Sequence, residues 1–271
     1  MTNYYAVVGN PIAHSKSPVI HKMFAEQTKQ AIEYTTLLSP IDGFTETVQS
    51  FFKQSPQGGL NITVPFKLEA YELCEQLSDY AQQAGAVNTL YKDAQGRLCG
   101  TNTDGIGIVR DLLNNTVTLK GKNILIIGAG GAVRGVIAPL LAEHPQQIVI
   151  ANRTEQKAID LVARFEDKSI TASGLDNIIL NTSFDIVING TAASLEGKLP
   201  AINEQIIANA TCCYDMMYAA GQDTAFVSWA KSLGVTQCLD GLGMLVEQAA
   251  ESFYIWRQQR PDTAAVLNHL R

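Results

Sequence analysis

Apolar runs and amphipathic segments alternate along the first hundred residues. Short apolar runs predict strands, and segments with apolar residues three or four positions apart predict helices between them. The predicted strands are Tyr4–Val8, Tyr34–Leu38, Leu60–Val64, Ala86–Leu90 and Leu98–Thr101, and the predicted helices are Pro18–Gln27, Phe44–Gln54 and Pro65–Leu77. A further helix is predicted from Asp104 to about Leu113. The pattern indicates an α/β lobe.

The second part of the chain repeats an α/β pattern after a polar joint at Asn114–Thr116 and Lys120–Lys122. Predicted strands lie near residues 124–127, 148–151, 170–172, 185–189, 211–214 and 235–238, with helices that include Ala132–Glu143, Glu155–Phe165 and Ala225–Leu233. Strands that alternate with helices favour a parallel, doubly wound sheet. A second joint, Asp240–Gly243, precedes a last predicted helix, Met244–Arg257.

The segment Ile124–Ala132 predicts a strand, a glycine turn and the start of a helix. Such a unit places backbone N–H groups and a helix N-terminus around a pyrophosphate. The turn reads G-x-G-G-x-V, with Val133 at the position of the usual third glycine, so it is weaker than the full fingerprint. Because 123 residues precede it, we expect the substrate site to come before the cofactor site along the chain.

The end of the next predicted strand favours NADP over NAD. Asn152 lies 22 residues after Gly130, where an NAD site keeps an acidic residue on the ribose. Arg153 follows it directly, and Lys157 lies one helical turn further on. A guanidinium can bind a 2′-phosphate that an acid would repel. The alternative is a solvated arginine at a helix start.

Composition narrows the class of protein. The chain has 271 residues, which favours two lobes, and 46% of them are hydrophobic. A net charge of −6 opposes broad binding to nucleic acid, and no apolar run reaches the roughly 20 residues of a membrane span. The five cysteines show no C-x-x-C spacing, the four histidines show no metal-ligand spacing, and the start lacks signal-peptide features. We therefore expect a cytoplasmic protein without a metal.

Polar residues at the ends of predicted strands in the first lobe are candidates for chemistry. Lys67 falls in the first turn of a predicted helix, where a cation opposes the helix dipole and is suited to proton transfer. Asp104 ends a predicted strand and begins a predicted helix, and its carboxylate could pair with a nearby lysine and orient it. The alternatives are a solvated lysine and a helix N-cap. Asn88 stands near a strand start, with a turn residue as its alternative.

The loop Asn10–Pro18 carries two hydroxyls, Ser15 and Ser17, beside a predicted helix N-terminus. Together they could hold a small carboxylate without an arginine. Ser17 precedes Pro18 and also fits the position of an N-cap. Gln248 is a polar residue on a mostly apolar helix face that it shares with Met244, Leu245 and Ser252.

Taken together, these segments resemble the shikimate dehydrogenase family over essentially the whole chain. The matching segments are Gly9–Pro18, Asn61–Lys67, Gly85–Thr89, Thr101–Gly105, Gly128–Ala132, Asn152–Thr154, Tyr214–Tyr218 and Asp240–Ala249. Their order along the chain is also that of the family, which makes the resemblance specific.

The resemblance implies a reversible reduction of 3-dehydroshikimate to shikimate with NADPH, on the route to aromatic amino acids. It assigns proton transfer to Lys67 with Asp104 as its partner. The implied substrate contacts are Ser15, Ser17, Thr63, Lys67, Asn88, Asp104, Tyr218 and Gln248. The implied NADP contacts are Asp79, Gly128, Ala129, Gly130, Gly131, Ala132, Asn152, Arg153, Thr154, Glu155, Gln156, Lys157, Met216 and Gly241.

The same resemblance implies an N-terminal α/β substrate domain over residues 1–104 and a Rossmann-like NADP domain over residues 105–241. Helices in residues 242–271 would return to the substrate domain, and the site would lie in the cleft between the lobes. The expected partner is a small-molecule substrate, with neither nucleic acid nor membrane, and the expected assembly is a monomer or a homodimer.

Two segments depart from the family pattern. Asn189–Ala193 replaces a loop that more often reads Asn-Ala-Thr-Ser, and Thr224–Phe226 lacks the proline usual before the aromatic residue. Three alternative interpretations remain: a quinate/shikimate dehydrogenase with relaxed use of NAD and NADP, a catalytically silent ligand-binding relative, and a methylene-tetrahydrofolate dehydrogenase. The last would not need the Ser15/Ser17 and Asn61–Lys67 segments.

Overall fold

A computed structural model describes residues 3–178, 183–191, 193, 196–219 and 221–271. The chain forms two compact units. Unit 1 extends to Gly107 and resumes over Leu245–Leu270, and unit 2 comprises Ile108–Met244 with the terminal Arg271. Unit 1 is therefore made from two separate stretches of chain.

Unit 1 contains a six-stranded mixed sheet. Its strands are β1 (Asn3–Gly9), β2 (Ile32–Leu38), β3 (Gly59–Ile62), β4 (Gln76–Leu77), β5 (Thr89–Lys92) and β6 (Leu98–Thr101). They lie in the order β2-β1-β3-β5-β6-β4, with β5 antiparallel to both of its neighbours and the other pairs parallel. The helices that begin in unit 1 or return to it are α1 (Ser17–Thr28), α2 (Phe44–Gln54), α3 (Lys67–Leu73), α4 (Asp79–Ala84), α5 (Asp104–Asn114), α10 (Leu242–Arg257) and α11 (Thr263–Leu270).

The predicted helix Pro65–Leu77 is wrong at both ends. Pro65 and Phe66 form a turn, and the helix runs only from Lys67 to Leu73. The next residues become extended because Glu75 N–H donates to the Leu98 carbonyl at 2.9 Å and Ser78 N–H donates to the Gly100 carbonyl at 3.0 Å. These sheet hydrogen bonds create β4, which the apolar pattern does not reveal. The predicted strand over residues 86–90 likewise begins only at Thr89.

Helix α10 returns to unit 1 and packs against α1 and α11. A buried cluster joins Ile20, Phe24, Val246, Ala249, Ala250, Phe253 and Val266. Further along α10, the Trp256 indole N–H donates to the Leu90 carbonyl at 3.2 Å. A Cβ at Gly59 would collide with this indole, so glycine lets the helix approach the sheet closely.

Unit 2 contains a six-stranded parallel sheet. Its strands are β7 (Asn123–Ile127), β8 (Gln147–Asn152), β9 (Ile170–Gly174), β10 (Ile186–Asn189), β11 (Cys212–Asp215) and β12 (Gln237–Leu239), and its helices are α6 (Gly131–Ala142), α7 (Glu155–Val162), α8 (Glu204–Ala208) and α9 (Ala225–Ser232). The order β12-β11-β10-β7-β8-β9 is that of a Rossmann sheet, and buried apolar clusters cover both faces. The predicted α/β class with a doubly wound parallel sheet is confirmed.

The position of the missing third glycine is filled by a buried side chain. Val133 is fully buried in α6. Space for it comes from Gly190, since a Cβ built there would collide with the Val133 side chain and lie 3.2 Å from the Met216 sulfur. The bulk that this turn gains at Val133 is thus offset by a glycine after β10.

The described residues lack two features, a membrane-spanning helix and a group of metal ligands. Within the described residues, no helix has the length and apolar character needed to span a membrane. The same residues contain no group of three or more potential ligands placed to hold a metal ion.

Replacing Gly190 with alanine should lower the free energy of unfolding by about 1–3 kcal/mol, because the added methyl group overpacks the contact with Val133. In a Val133→Ala background the same replacement should cost clearly less, since the space is then available. Urea unfolding of the four proteins measures this coupling. Additive losses would show that the two residues do not compete for space.

His21 gives unit 1 a pH-dependent stability. Its ring is fully buried and stacks on Tyr34 with 4.0 Å between ring centroids. Neither ring nitrogen has a hydrogen-bond partner among the described residues. Burial lowers the pKa of His21 from 6.5 to about 3, and the nearby Asn61 side chain opposes this shift by less.

Because the folded protein binds this proton less readily than the unfolded chain, stability should fall as the pH drops from about 6.5 towards 3. The loss from His21 should reach roughly 2–3 kcal/mol two pH units below its unfolded pKa. Urea unfolding between pH 7 and pH 4.5 measures it, with His21→Phe as the matched variant. An identical pH slope in both proteins would contradict a buried neutral histidine.

Candidate active site

Lys67 and Asp104 form an ion pair in unit 1. Lys67 is the first residue of α3 and Asp104 is the first residue of α5, so each side chain follows the end of a sheet strand. Lys67 Nζ lies 2.5 Å from Asp104 Oδ2, and the two side chains are 25% and 10% exposed. The alternative of a solvated lysine is therefore wrong.

Asp104 is held inside the helix start and is not its cap. Its N–H donates to Asn102 Oδ1 at 3.1 Å, so Asn102 supplies the local turn bond. The carboxylate is thereby free to bind Lys67 with one oxygen and Asn88 with the other, at 2.8 Å from Asn88 Nδ2. The N-terminus of α5 also favours a negative charge at this position.

Asn88 and Gln248 complete the group around the pair. Asn88 is buried, and its Oδ1 accepts the Thr103 N–H at 2.9 Å, which fixes the direction of the amide. Gln248 Oε1 lies 3.4 Å from both Asn88 Nδ2 and Thr103 Oγ1. The structure therefore brings four predicted residues together: Lys67, Asn88, Asp104 and Gln248.

Ser15 and Ser17 lie at the start of α1, but Ser17 does not have its expected role as N-cap. The helix begins at Ser17 after Lys16, so Ser17 is not the N-cap. Instead, Ser15 Oγ accepts the Ser17 N–H at 3.3 Å. The Ser17 side chain is buried beside the Tyr34 hydroxyl. Both serines therefore lie at the start of α1 with their hydroxyls partly engaged.

Thr63 follows β3 at the same end of the sheet. Its N–H donates to the Val8 carbonyl at 2.9 Å, and its methyl group occupies the space that a Cβ of Gly9 would need. The half-buried Thr63 side chain is thus positioned by the neighbouring strand.

A second set of buried polar residues received no role from the sequence patterns. Asn61, Thr89, Thr103 and Ser252 are all buried and hydrogen-bonded around Asn88. Ser252 could have been found, since it lies one helical turn after Gln248 on the same face of α10. Asn61 is the one polar side chain of the buried strand β3 and carries a similar signal.

The glycine turn after β7 suits a phosphate group. Gly128 adopts φ +110°, and its N–H donates to the Ala151 carbonyl at 2.8 Å, which continues the pairing of β7 with β8 up to the turn. Cβ positions built on Gly130 and Gly131 face open space among the described residues, and no described side chain caps α6. Since β7 lies where the strand order reverses, the N-terminus of α6 stands at the usual ligand position of such a sheet.

The segment at the end of β8 carries two exposed cationic side chains and one hydrogen-bonded carboxylate. Asn152 Nδ2 donates to the Thr154 carbonyl at 2.8 Å, while Arg153 and Lys157 are exposed. Glu155 accepts the Gly174 N–H at 3.0 Å, so its carboxylate serves the end of β9. Thr154 and Gln156 are exposed at the start of α7.

Met216 and Gly241 lie together in unit 2. The Gly241 N–H donates to the Met217 carbonyl at 3.0 Å, and a Cβ on Gly241 would collide with the Met216 carbonyl. Tyr218 is half-buried in the same unit, and burial raises the pKa of its phenol. Asp79 is the exposed first residue of α4 in unit 1.

The two departures from the family pattern have local partners. Asn189 Oδ1 accepts the Thr191 hydroxyl at 2.8 Å, and Asn189 Nδ2 donates to Asp215 Oδ1 at 3.1 Å. Thr224 Oγ1 donates to Asp215 Oδ2 at 2.6 Å and accepts the Val227 N–H at 3.2 Å, which caps α9. Residue 192 of the first segment lies outside the described residues.

Comparison with known proteins covers most of the chain. Family models described as shikimate dehydrogenase substrate binding domain, shikimate / quinate 5-dehydrogenase and shikimate 5'-dehydrogenase C-terminal domain match residues 7–90, 111–211 and 241–271. A shikimate dehydrogenase (NADP(+)) of Hahella chejuensis is 55% identical over 98% of both chains. One of Janthinobacterium is 55% identical over 100% of this chain and 97% of its own.

Solved structures agree with these relatives. An Ael1 enzyme from Pseudomonas putida is 42% identical with a TM-score of 0.94, over 99% of this chain and 98% of its own. A shikimate 5-dehydrogenase from Thermus thermophilus, in complex with NADP(H) and shikimate, is 29% identical with a TM-score of 0.86 over 99% and 98%. On the identity of its relatives and the share of the chain that they cover, this chain belongs to the shikimate dehydrogenase family.

Proposed function

We propose that this chain catalyses the reversible, NADP-dependent reduction of 3-dehydroshikimate to shikimate. The observation that carries the proposal is the sheltered Lys67–Asp104 ion pair, 2.5 Å long and bordered by Asn88 and Gln248. A ketone reduction needs one group that delivers a proton and a polar wall that holds neighbouring hydroxyls. These four side chains provide both.

Lys67 is the proton donor in this mechanism. Its ammonium group would lie against the carbonyl oxygen of the substrate, stabilise the negative charge that develops there and then transfer a proton to it. NADPH, when bound, supplies the hydride. In the direction of oxidation, the neutral Lys67 amine takes the proton back from the hydroxyl.

Asp104 and Asn88 orient the reacting groups. Asp104 keeps Lys67 in place and has oxygen lone pairs left to accept a hydrogen bond from a substrate hydroxyl. Its own direction is fixed by Asn88, which donates to its second oxygen at 2.8 Å. Gln248 adds an amide that can bind another hydroxyl.

The remaining substrate contacts are hydroxyl groups. Ser15 and Ser17 stand at the start of α1, a helix of 12 residues whose N-terminus attracts a carboxylate. Thr63 and Tyr218 supply two further hydroxyls. Hydroxyls and a helix end recognise a carboxylate without an arginine.

NADP would bind along the ends of β7 and β8. The N–H groups of Gly130, Gly131 and Ala132, at the N-terminus of α6, would bind the pyrophosphate, with Gly128 and Ala129 shaping the turn. Arg153 and Lys157 carry the positive charge that a 2′-phosphate needs, and Asn152 stands where an acid would repel it. Thr154, Glu155 and Gln156 line the same helix start, while Met216, Gly241 and the more distant Asp79 complete the proposed contacts.

The proposed organisation follows from these sites. Residues 1–104 and 242–271 form the substrate domain, and residues 105–241 form the NADP domain. All five cysteines are free, which supports work in the reducing cytoplasm, and the enzyme acts as a monomer or a homodimer.

Changing Lys67 to alanine should lower kcat by roughly 10²–10⁴-fold, the usual contribution of a general acid–base group. The measurement is steady-state oxidation of shikimate, followed by the absorbance of reduced nicotinamide. Lys22→Ala, which removes an exposed lysine of α1, serves as the matched control and should keep the wild-type rate. If kcat survives in Lys67→Ala and only KM rises, Lys67 binds substrate without transferring the proton.

Assays that cross shikimate and quinate with NADP and NAD test the function as a whole. Rapid turnover is expected for shikimate with NADP, because Arg153 favours the 2′-phosphate. Comparable turnover of quinate, or comparable turnover with NAD, would instead indicate a quinate/shikimate dehydrogenase with relaxed use of NAD and NADP. Absence of turnover in all four combinations would overturn the proposed activity.

In the same assay, Arg153→Ala should raise KM for NADP by roughly 10- to 100-fold and leave that for NAD nearly unchanged, since only NADP loses a charge-assisted hydrogen bond. Arg164→Ala, an exposed arginine after α7, is the control. Equal losses for both cofactors would remove Arg153 from the 2′-phosphate site.

A further inference from the structure

A serine on α10 lies at the centre of the polar groups behind the ion pair. Ser252 has no exposed surface, and its Oγ is 2.9 Å from Asn61 Nδ2 and 2.8 Å from Thr89 Oγ1. It also lies 3.1 Å from the Gln248 carbonyl and 3.3 Å from Thr103 Oγ1. Asn61, Thr89, Thr103 and the Gln248 carbonyl thus meet at this hydroxyl. Together with Asn88, the side chains of these residues and of Ser252 are here called the polar cluster.

The protons in this cluster have few possible positions. Thr89 donates its single hydroxyl proton to Asn88 Oδ1 at 2.9 Å, so it can only accept from its other neighbours. Asn61 Nδ2 donates to Ser252 Oγ. Ser252 therefore accepts from Asn61 and has one proton of its own for Thr89 Oγ1 or the Gln248 carbonyl.

This pattern fixes the amide of Asn88. Its Oδ1 accepts from Thr89 Oγ1 and from the Thr103 N–H, both at 2.9 Å. With the oxygen held on that side, Nδ2 is directed at Asp104 Oδ1, which it reaches at 2.8 Å. A turned amide would place an oxygen against the carboxylate, which is unfavourable.

We propose that Ser252 is a positioning residue for the reaction, acting through Thr89 and Asn88 on Asp104. The proposal rests on the proposed function only for its kinetic readout. In this arrangement Ser252 donates to Thr89 Oγ1, as Asn61 Nδ2 also does at 3.1 Å, so that Thr89 keeps its own proton for Asn88. Asn88 in turn holds Asp104 against Lys67. Helix α10 thereby contributes twice to the site, through Gln248 at the group itself and through Ser252 behind it.

The test begins with Ser252→Ala, which removes one hydroxyl and adds no atoms. We expect kcat for shikimate oxidation to fall roughly 3- to 10-fold, the effect of one lost buried hydrogen bond, and the pH profile of kcat/KM to shift. Val246→Ala is the matched control, because it truncates a buried side chain of the same helix outside the cluster. Equal loss of rate and equal pH profiles in both variants, at matched thermal stability, would reduce Ser252 to a structural role.

The path of the effect is tested in an Asn88→Ala background. If Ser252 acts through Asn88, Ser252→Ala should have almost no further effect on kcat there. A full, multiplicative loss in the double variant would overturn the proposal. Thr89→Val breaks the same path one step nearer to Asn88 and should reproduce the kinetic change, which provides an independent variant if Ser252→Ala folds poorly.

A readout without turnover separates this proposal from the proposed function. The carbon-13 resonance of Lys67 Cε reports the contact of its ammonium group with Asp104 and needs no substrate. It should move in Ser252→Ala and Thr89→Val and stay in place in Val246→Ala. An unmoved resonance overturns the positioning role, whereas an inactive wild-type protein with a moved resonance overturns only the dehydrogenase.

Discussion

The docking of α10 onto the sheet of unit 1 is the constraint on which the candidate site depends. The helix brings Gln248 and Ser252 to Asn88, and it is anchored further along by the Trp256 indole over Gly59. The apolar cluster around Phe253 supplies the burial that makes this docking favourable. Without it, the polar residues around Asn88 would lose both their partners and their shelter from water.

The buried polar residues around Asn88 are tolerated only because they hydrogen-bond to one another. Burying an amide or a carboxylate is costly unless its hydrogen-bonding groups find partners. Asn88 and Asp104 are both buried, and each contacts more than one polar neighbour. Such a set defines one arrangement of donors and acceptors, which is what a site that must discriminate between hydroxyls requires.

Long periodic segments were predictable, and segments decided by sheet pairing were not. The helix Phe44–Gln54 was predicted with its observed ends, and the strand–turn–helix after residue 123 was found because apolar strands and glycine turns carry strong local signals. The residues after Leu73 also suit a helix, yet hydrogen bonds from β6 made them extended. The short helices α4 and α8 have too few turns to show a periodic pattern.

The candidate site shows the same division. Lys67 and Asp104 could be named from their places at helix starts, but their pairing across 37 residues followed only from the family resemblance, because no local pattern reports it. Ser17 was expected to cap α1, but the helix starts one residue earlier than predicted, which makes Lys16 the N-cap and leaves the Ser17 N–H to donate to Ser15. The partners of Ser252 could not be named from the sequence, because residues from three separate strand ends meet one helix there.

Because unit 1 is made from two separate stretches of chain, its folding depends on the order in which the residues are synthesised. Ile20 and Phe24 are synthesised before unit 2, but the residues that cover them, Val246 to Val266, are synthesised only after it. The whole sheet of unit 2 lies within one stretch, Ile108–Met244, so it can form while the apolar face of α1 in unit 1 is still uncovered. Such a face invites aggregation. Closure of this apolar face therefore has to follow the synthesis of unit 2, and a nascent chain that ends before Val246 would carry a complete parallel sheet in unit 2 and an uncovered face on α1.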